Sequence, residues 1–292
     1  MATILITGGN GFVAGYLKKI CTRDKVILAD KKRDKGIVAL DITQLPQVES
    51  LIKKYQPDEI YHLAAISTQK FKDKKTIEKV NVQGSLNVLR ACQKYSPQAK
   101  ILLVSTGYVY GNCKKPAKET KKPNPKGLYA QSKLKMEQEA LKKFPDLKIY
   151  ISRSFNHSGA GQPLGFFFPD LAKKVLDYKN KKTSELEIFN GEEKRDFLHV
   201  KDVVRAYRLI LKRGKPRQVY NVASGKAYKI EDITAQMIKK AGLKNPKIIK
   251  KQRPSDVKIL VGDNSKLKSL LWKPKFQISK IISDVLKWSS RS

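Results

Sequence analysis

Ile6-Thr7-Gly8-Gly9-Asn10-Gly11-Phe12-Val13-Ala14 follows a short β-branched run, Thr3–Thr7, and opens a helical pattern. Gly8 permits the tight turn out of the strand, and Gly11 lets the backbone approach a pyrophosphate. Ala14 stands where a small residue allows close packing of helix on strand. Free N–H groups and the helix dipole at such a turn favour an anion, here placed over Gly8, Gly11, Phe12 and Val13. A glycine cluster alone also suits a purely structural turn. Its position at the head of a strand–helix–strand unit makes dinucleotide binding the reading adopted.

Working outward, β-branched runs alternate with helical patterns. Strands are expected at Thr3–Thr7, Val26–Asp30, Ile37–Leu40, Glu59–Leu63, Ile101–Ser105 and Lys148–Arg153. Helices are expected near Val13–Cys21, Leu45–Tyr55, Thr76–Tyr95 and Tyr129–Phe144. Continuous apolar strands between amphipathic helices indicate an α/β fold, a doubly wound parallel sheet covered on both faces. Ligands then sit at the carboxyl ends of the strands. After Arg153 the rhythm loosens, with helical patterns at Lys201–Leu211, Ile230–Ala241 and Ile278–Trp288 and a strand at Val219–Val222. We expect a dinucleotide-binding domain over 1–155 plus about 197–218. A smaller C-terminal α/β substrate lobe is expected from 156–196 and 219–292, so that the chain crosses between the two more than once.

Composition limits the alternatives. A chain of 292 residues, 40% hydrophobic and 30% charged, can bury a substantial core. No apolar run approaches the roughly 20 residues of a membrane span. The N-terminus enters its first strand without a basic leader, so a cytoplasmic location and no membrane partner are expected. Cys21, Cys92 and Cys113 read as reduced thiols, and His62, His157 and His199 are far apart, so no metal site is expected. The net charge of +35 raises the question of nucleic acid. Lysine pairs such as Lys53-Lys54, Lys142-Lys143 and Lys239-Lys240 are spread along the chain instead of forming one arm or stripe. A solvated basic surface is the reading adopted, and nucleic acid is not an expected partner.

Asp30 ends the second strand where its carboxylate can accept from the adenosine ribose hydroxyls, which favours NAD. Lys31, Lys32 and Arg33 follow at once and suit a 2′-phosphate, so NADP stays open. Asp41 and Ile42 lie near the adenine in this reading, and Leu63, Ala64 and Ala65 are small enough after the fourth strand to let a cofactor pass. Tyr129-Ala130-Gln131-Ser132-Lys133 puts a phenol and an ammonium at i and i+4 on one helical face. A phenol titrates near ~10, and an adjacent cation is expected to lower that value. Tyr129 then exchanges a proton with a sugar alcohol or ketone while hydride moves to or from a nicotinamide.

These motifs resemble those of the extended short-chain dehydrogenases/reductases of the nucleotide-sugar epimerase/dehydratase family, over essentially the full length. The matching elements are Thr7–Val13, His62-Leu63-Ala64-Ala65, Asn81-Val82-Gln83-Gly84, Tyr129–Lys133, Arg195-Asp196-Phe197 with Val200–Val203, and Arg253-Pro254-Ser255-Asp256. The resemblance implies a Rossmann domain, Thr106 as the hydroxyl partner of Tyr129, and a homodimer through the helix of Tyr129 and the long one before it. Dehydratases of this family carry acids directly after that Ser/Thr. Gly107 and Tyr108 stand there instead, which disfavours elimination and favours keto reduction or 4-epimerisation.

The stretch from Asn156 to Lys173 resembles the GDP-6-deoxy-4-keto-mannose reductase branch. It implies Asn156 and Lys173 on the substrate, Arg195 and Arg253 on its phosphates, and Asp256 on the nucleotide ribose. A GDP-linked sugar is therefore favoured over a UDP-linked one. The alternatives are a UDP-hexose 4-epimerase and, outside enzymes, a cofactor-sensing or nucleic-acid-binding protein built on the same fold.

Overall fold

Leu5 faces one side of a sheet while its neighbours Ile4 and Ile6 face the other, and helices close both sides. In the computed structural model, which describes residues 1–67 and 73–291, the chain opens with β1 (Thr3–Thr7), α1 (Phe12–Ile20), β2 (Lys25–Asp30), β3 (Ile37–Ala39), α2 (Leu45–Tyr55) and β4 (Glu59–His62). It continues through α3 (Lys74–Ile77), a π-helical stretch Glu78–Gly84, α4 (Ser85–Tyr95), β5 (Lys100–Thr106), a 3-10 turn Gly107–Tyr110, α5 (Gly127–Lys143) and β6 (Lys148–Ser154). The second half holds β7 (Asn156–Ser158), α6 (Phe167–Lys179), β8 (Leu186–Phe189), β9 (Lys194–Arg195), β10 (Phe197–His199), α7 (Val200–Arg213) and β11 (Val219–Val222). It ends with β12 (Tyr228–Lys229), α8 (Ile230–Lys240), β13 (Ile248–Lys251), β14 (Ile259–Leu260), α9 (Ser265–Lys268) and α10 (Ile278–Ser289).

Seven strands form one parallel sheet in the order β11-β6-β5-β4-β1-β2-β3. The order reverses between β1 and β4, which opens the crevice of a doubly wound Rossmann sheet at their carboxyl ends. On one face α2, α4 and α5 contribute Leu51, Leu89 and Met136 to a core with Leu5, Ile60 and Ile101. On the other, Leu17 of α1 and Val203 and Tyr207 of α7 pack on Ile4, Ile6 and Leu102. A third core, built by α6, α8 and α10 around Phe168, Ile233 and Ile282, is the smaller lobe. No helix among the described residues is long and apolar enough to cross a membrane.

Three expectations need correction. Val219–Val222 pairs with β6 as the edge strand of the main sheet, and Leu267 and Trp272 pack in the sheet's core. Part of 219–292 therefore belongs with the dinucleotide-binding domain, because the apolar side chains of this stretch find their partners on the sheet. The single helix expected over Thr76–Tyr95 is broken by the π stretch. There Asn81 turns its side chain to the backbone of Ile66 and to Ser132, and such bulges occur where a polar side chain must be re-aimed. Helix α6 is absent from the sequence expectations, since Gly165 and the aromatic run Phe166–Phe168 hide its start.

Candidate active site

Gly8 adopts φ +72°, and a Cβ there would lie 2.8 Å from the backbone nitrogen of Ala64. A Cβ on Gly11 would lie 2.9 Å from the carbonyl oxygen of Gly8. Helix α1 has no side-chain cap at Gly11 and no acid in its first turn. Its leading N–H groups thus face the crevice with the positive end of the helix dipole, a geometry that fits a pyrophosphate. Phe12 stacks edge-on against Tyr16, with ring centres 5.4 Å apart, and half-buried Val13 packs on the sheet core. Asp30 faces this turn and accepts from the backbone N–H of Asn10 at 3.1 Å. Lys31 pairs with Asp41 at 3.0 Å. Burial opposes the Asp41 carboxylate, but bonds from Thr43 and Lys31 hold it below its usual range. The side chain of Ile42 is buried in the core, where it covers Gly84. Leu63, Ala64 and Ala65 are half-buried directly after β4. Gly8→Ala is expected to weaken cofactor binding more than about tenfold. The positive φ alone should also lower stability by about 1–2 kcal/mol, readable by cofactor titration and thermal melting.

Tyr129 and Lys133 project from one face of α5 toward the carboxyl end of β5. Thr106, at the end of β5, stands beside the Tyr129 phenol and favours its ionised form. Burial pushes that phenol up to about 12, against the pull of Thr106 and with a smaller push from Tyr108. The expected lowering by Lys133 is not found. Its ammonium donates to the carbonyl of Val104 at 2.7 Å, and burial brings its own pKa down to about 8. The sheet carbonyl, not the phenol, is the nearest partner the fold offers that ammonium.

A polar chain missed in the sequence ties this centre to the glycine turn. Thr7 bonds His62 Nδ1 at 2.8 Å, His62 Nε2 bonds Ser85 at 2.9 Å, and the Ser85 hydroxyl donates to the carbonyl of Asn81. Asn81 then donates to Ser132, whose hydroxyl donates to the carbonyl of Tyr129 at 2.8 Å. Because the Ser85 proton goes to Asn81, the Ser85 oxygen accepts from Nε2–H; Thr7, whose oxygen already accepts from the N–H of Ala64, then donates to Nδ1, and His62 is neutral. Burial, helped by the charge of Lys133, holds its pKa near 3. His62 lies in a matching motif, where the sequence assigns a task only to its small neighbours.

A cavity of about 200 Å³ beside the centre is lined by Tyr108, Asn156, Phe189, Glu193 and Arg195, with Phe197 among its walls. The Tyr108 hydroxyl donates to Asn156 Oδ1 at 3.2 Å. A Cβ on Gly107 would lie 2.9 Å from the ring of Phe155, so no carboxylate fits at that position.

The architecture is shared with known proteins. A sequence profile described as GDP-mannose 4,6 dehydratase matches residues 21–285. The chain belongs to this family. GDP-6-deoxy-D-mannose reductase of Pseudomonas aeruginosa is 30% identical over 247 residues, 80% of this chain and 81% of the relative. The structure of RMD from P. aeruginosa, complexed with NADPH, superposes with a TM-score of 0.87 at 27% identity, covering 100% of both chains. UDP-glucose 4-epimerase of Thermus thermophilus, complexed with NAD, superposes at 0.88 and 26% identity, covering 99% of both. The chain is thus an extended short-chain dehydrogenase/reductase, as its motifs indicated.

Within this GDP-mannose 4,6-dehydratase fold the expected substrate residues separate. Asn156 and Arg195 share the cavity. The Arg195 guanidinium, however, is committed to Glu193 at 2.5 Å and to the carbonyls of Lys194, Val257 and Lys258. It fastens β9 to the segment behind Arg253, a bracing position that leaves little for a phosphate. Arg253 stacks on Phe189, its guanidinium carbon 3.4 Å from the ring centre. Lys173 pairs with Asp177 on the exposed face of α6, away from the cavity. Its neighbour Lys174 instead lies over Phe189 at 4.6 Å, because the helix turns residue 174 inward. Asp256 is exposed outside the cavity. In the motif Arg195-Asp196-Phe197, Asp196 is fully buried. It accepts from Ser224 N, Ser224 Oγ, Gly225 N and Gly262 N, fastening β11 to the lobe.

Proposed function

We propose that this enzyme reduces the 4-keto group of a GDP-4-keto-6-deoxy-hexose, giving a GDP-rhamnose-type product. The supporting observation is a buried phenol beside Thr106, linked to Thr7 of the glycine turn through the polar chain of His62, Ser85, Asn81 and Ser132, with no carboxylate directly after Thr106. The carboxylate nearest at hand in the cavity, Glu193, is tied to Arg195 and Asn190. A reduced dinucleotide held with its pyrophosphate on the Gly8–Gly11 turn would supply the hydride. Tyr129 delivers the proton to the oxygen that becomes the alcohol. A phenol near 12 stays protonated at neutral pH and so arrives as a donor. Thr106 orients it, and Lys133 stabilises the charge left behind as the proton leaves. Asn156 and Tyr108 position the sugar, while Lys174 and Arg253 over Phe189 meet the diphosphate. Arg195 acts on the substrate through the loop it braces.

NAD is favoured over NADP because the Asp30 carboxylate would repel a 2′-phosphate and Lys31 is already paired with Asp41. The guanine-linked sugar is favoured by the likeness to the Pseudomonas reductase. The proposal places the enzyme in the cytoplasm as a homodimer through α4 and α5. Incubation with GDP-4-keto-6-deoxy-mannose should consume NADH faster than NADPH and yield a GDP-6-deoxyhexose by mass spectrometry; no turnover with either cofactor removes the proposal. The second reading, a UDP-hexose 4-epimerase, is kept by the equally good superposition on the Thermus epimerase. It requires interconversion of UDP-glucose and UDP-galactose without net cofactor consumption.

A further inference from the structure

Glu137 stands one helical turn beyond Lys133, so that Tyr129, Lys133 and Glu137 follow one another on the same face of α5 at i, i+4 and i+8. Its side chain is 4% exposed. Both carboxylate oxygens accept from Nε of Arg153 at 3.1 Å, and Oε2 also accepts from Nη2 at 2.6 Å. Ser105, on β5 beside the carbonyl that Lys133 holds, donates to the remaining side of the carboxylate. Arg153 is fixed in turn by the ring of Tyr110, 4.8 Å from the guanidinium carbon, and its Nη1 is buried with no hydrogen-bond partner among the described residues. A bidentate pair at low exposure cannot swing, so the carboxylate holds a constant place behind the ammonium without touching it.

The groups around Lys133 are few. On α5 they are Tyr129 and Glu137; from β4 comes His62, which is neutral; from β5 come the Val104 carbonyl and Ser105. Arg153 on β6 reaches toward it only through Glu137. Among the described residues, Glu137 is therefore the negative charge that opposes the desolvation of Lys133.

From this arrangement we infer that Glu137, locked by Arg153 and Ser105, is a positioning residue that keeps Lys133 cationic at working pH. Burial lowers Lys133 to about 8, and Glu137 pulls in the opposite direction. Without Glu137 the ammonium should lose its proton closer to neutrality, and the enzyme would lose the positive charge that stabilises the phenolate left when Tyr129 gives its proton to the substrate oxygen. A buried carboxylate whose task was structural alone would stabilise the fold without moving any titration at Lys133. The kinetic consequence rests on the reductase reading above; the titration does not.

The test is an NMR pH titration of the full-length protein carrying lysine labelled at the ε-carbon, with the Lys133 signal assigned by its loss in Lys133→Met. In Glu137→Gln the Lys133 midpoint should fall by about one unit or more, the range set by removing a near opposite charge. Glu137→Gln leaves Arg153 buried without its partner, so the double variant Glu137→Gln/Arg153→Met is measured alongside. Replacing a buried pair as a whole is well tolerated, and the midpoint should fall in it as well, by a smaller amount, because the loss of the more distant Arg153 charge acts in the opposite direction. An unchanged midpoint in the double variant overturns the inference, even if turnover drops. Where turnover with the keto sugar nucleotide is seen, the alkaline limb of kcat should move down with the midpoint. A moved midpoint without turnover in any variant, wild type included, counts against the substrate proposal and leaves Glu137 in its role.

Discussion

Tyr129→Phe is expected to lower kcat for keto reduction by about 10²–10⁴-fold while leaving cofactor binding and melting temperature close to those of the wild type. The ring of phenylalanine fills the same space on α5, so packing changes little. What disappears is the phenolic hydroxyl beside Thr106. Proton delivery matters when the substrate oxygen becomes an alkoxide, so kcat and kcat/KM should fall together and KM should hold nearly constant. Steady-state kinetics on the loss of reduced-nicotinamide absorbance measure this directly. A variant retaining a tenth or more of wild-type kcat would require another proton donor in the cavity. Tyr108 is then the next candidate, since its hydroxyl lies there against Asn156.

Acid should destabilise the protein steeply through one histidine. His62 is fully buried, and its folded pKa lies near 3 against an ordinary value of 6.5. Between those values the unfolded chain binds a proton that the folded chain refuses, so stability falls as pH drops below 6.5. The stabilisation is complete above 6.5 and diminishes by about 1.4 kcal/mol for each pH unit below it, approaching ~5 kcal/mol in all near pH 3. The cause is structural: a second proton on the ring would sit where the Thr7 hydroxyl now donates to Nδ1, beside the Lys133 ammonium. Denaturant unfolding of wild type and His62→Gln across pH 4.5–7.5 isolates the effect. His62→Gln should be weaker at neutral pH for want of its hydrogen bonds, and the gap should narrow as pH falls. Parallel stability curves would show that His62 titrates normally in the folded state.

Local pattern and spacing made much of the protein legible. Continuous apolar runs such as Ile4–Ile6 and Ile101–Leu103 can be buried only between two helical layers, so the parallel sheet followed from them. Gly8 and Gly11 could be assigned to a phosphate because the backbone alone makes that contact, and the i, i+4 spacing put Tyr129 and Lys133 on one face whatever surrounded the helix. The same reasoning fails where partners come from distant strands. Lys173 and Lys174 look alike in sequence until the helix phase is known; α6 turns residue 174 inward and leaves the expected Lys173 outside. Arg195 looks free for a phosphate until the carbonyls of Val257 and Lys258 close around it from more than sixty residues away.

The amino-acid order by itself thus determined which side chains exist at the reaction centre and how those on one helix are phased, since both depend on neighbours within a turn or two. Only the tertiary structure decided their charge and their partners. Desolvation and hydrogen bonding are properties of an assembled interior: Lys133 meets the Val104 carbonyl, Glu137 meets Arg153, and His62 stays neutral because β1, β4, β5, β6 and α5 converge at one edge of the crevice.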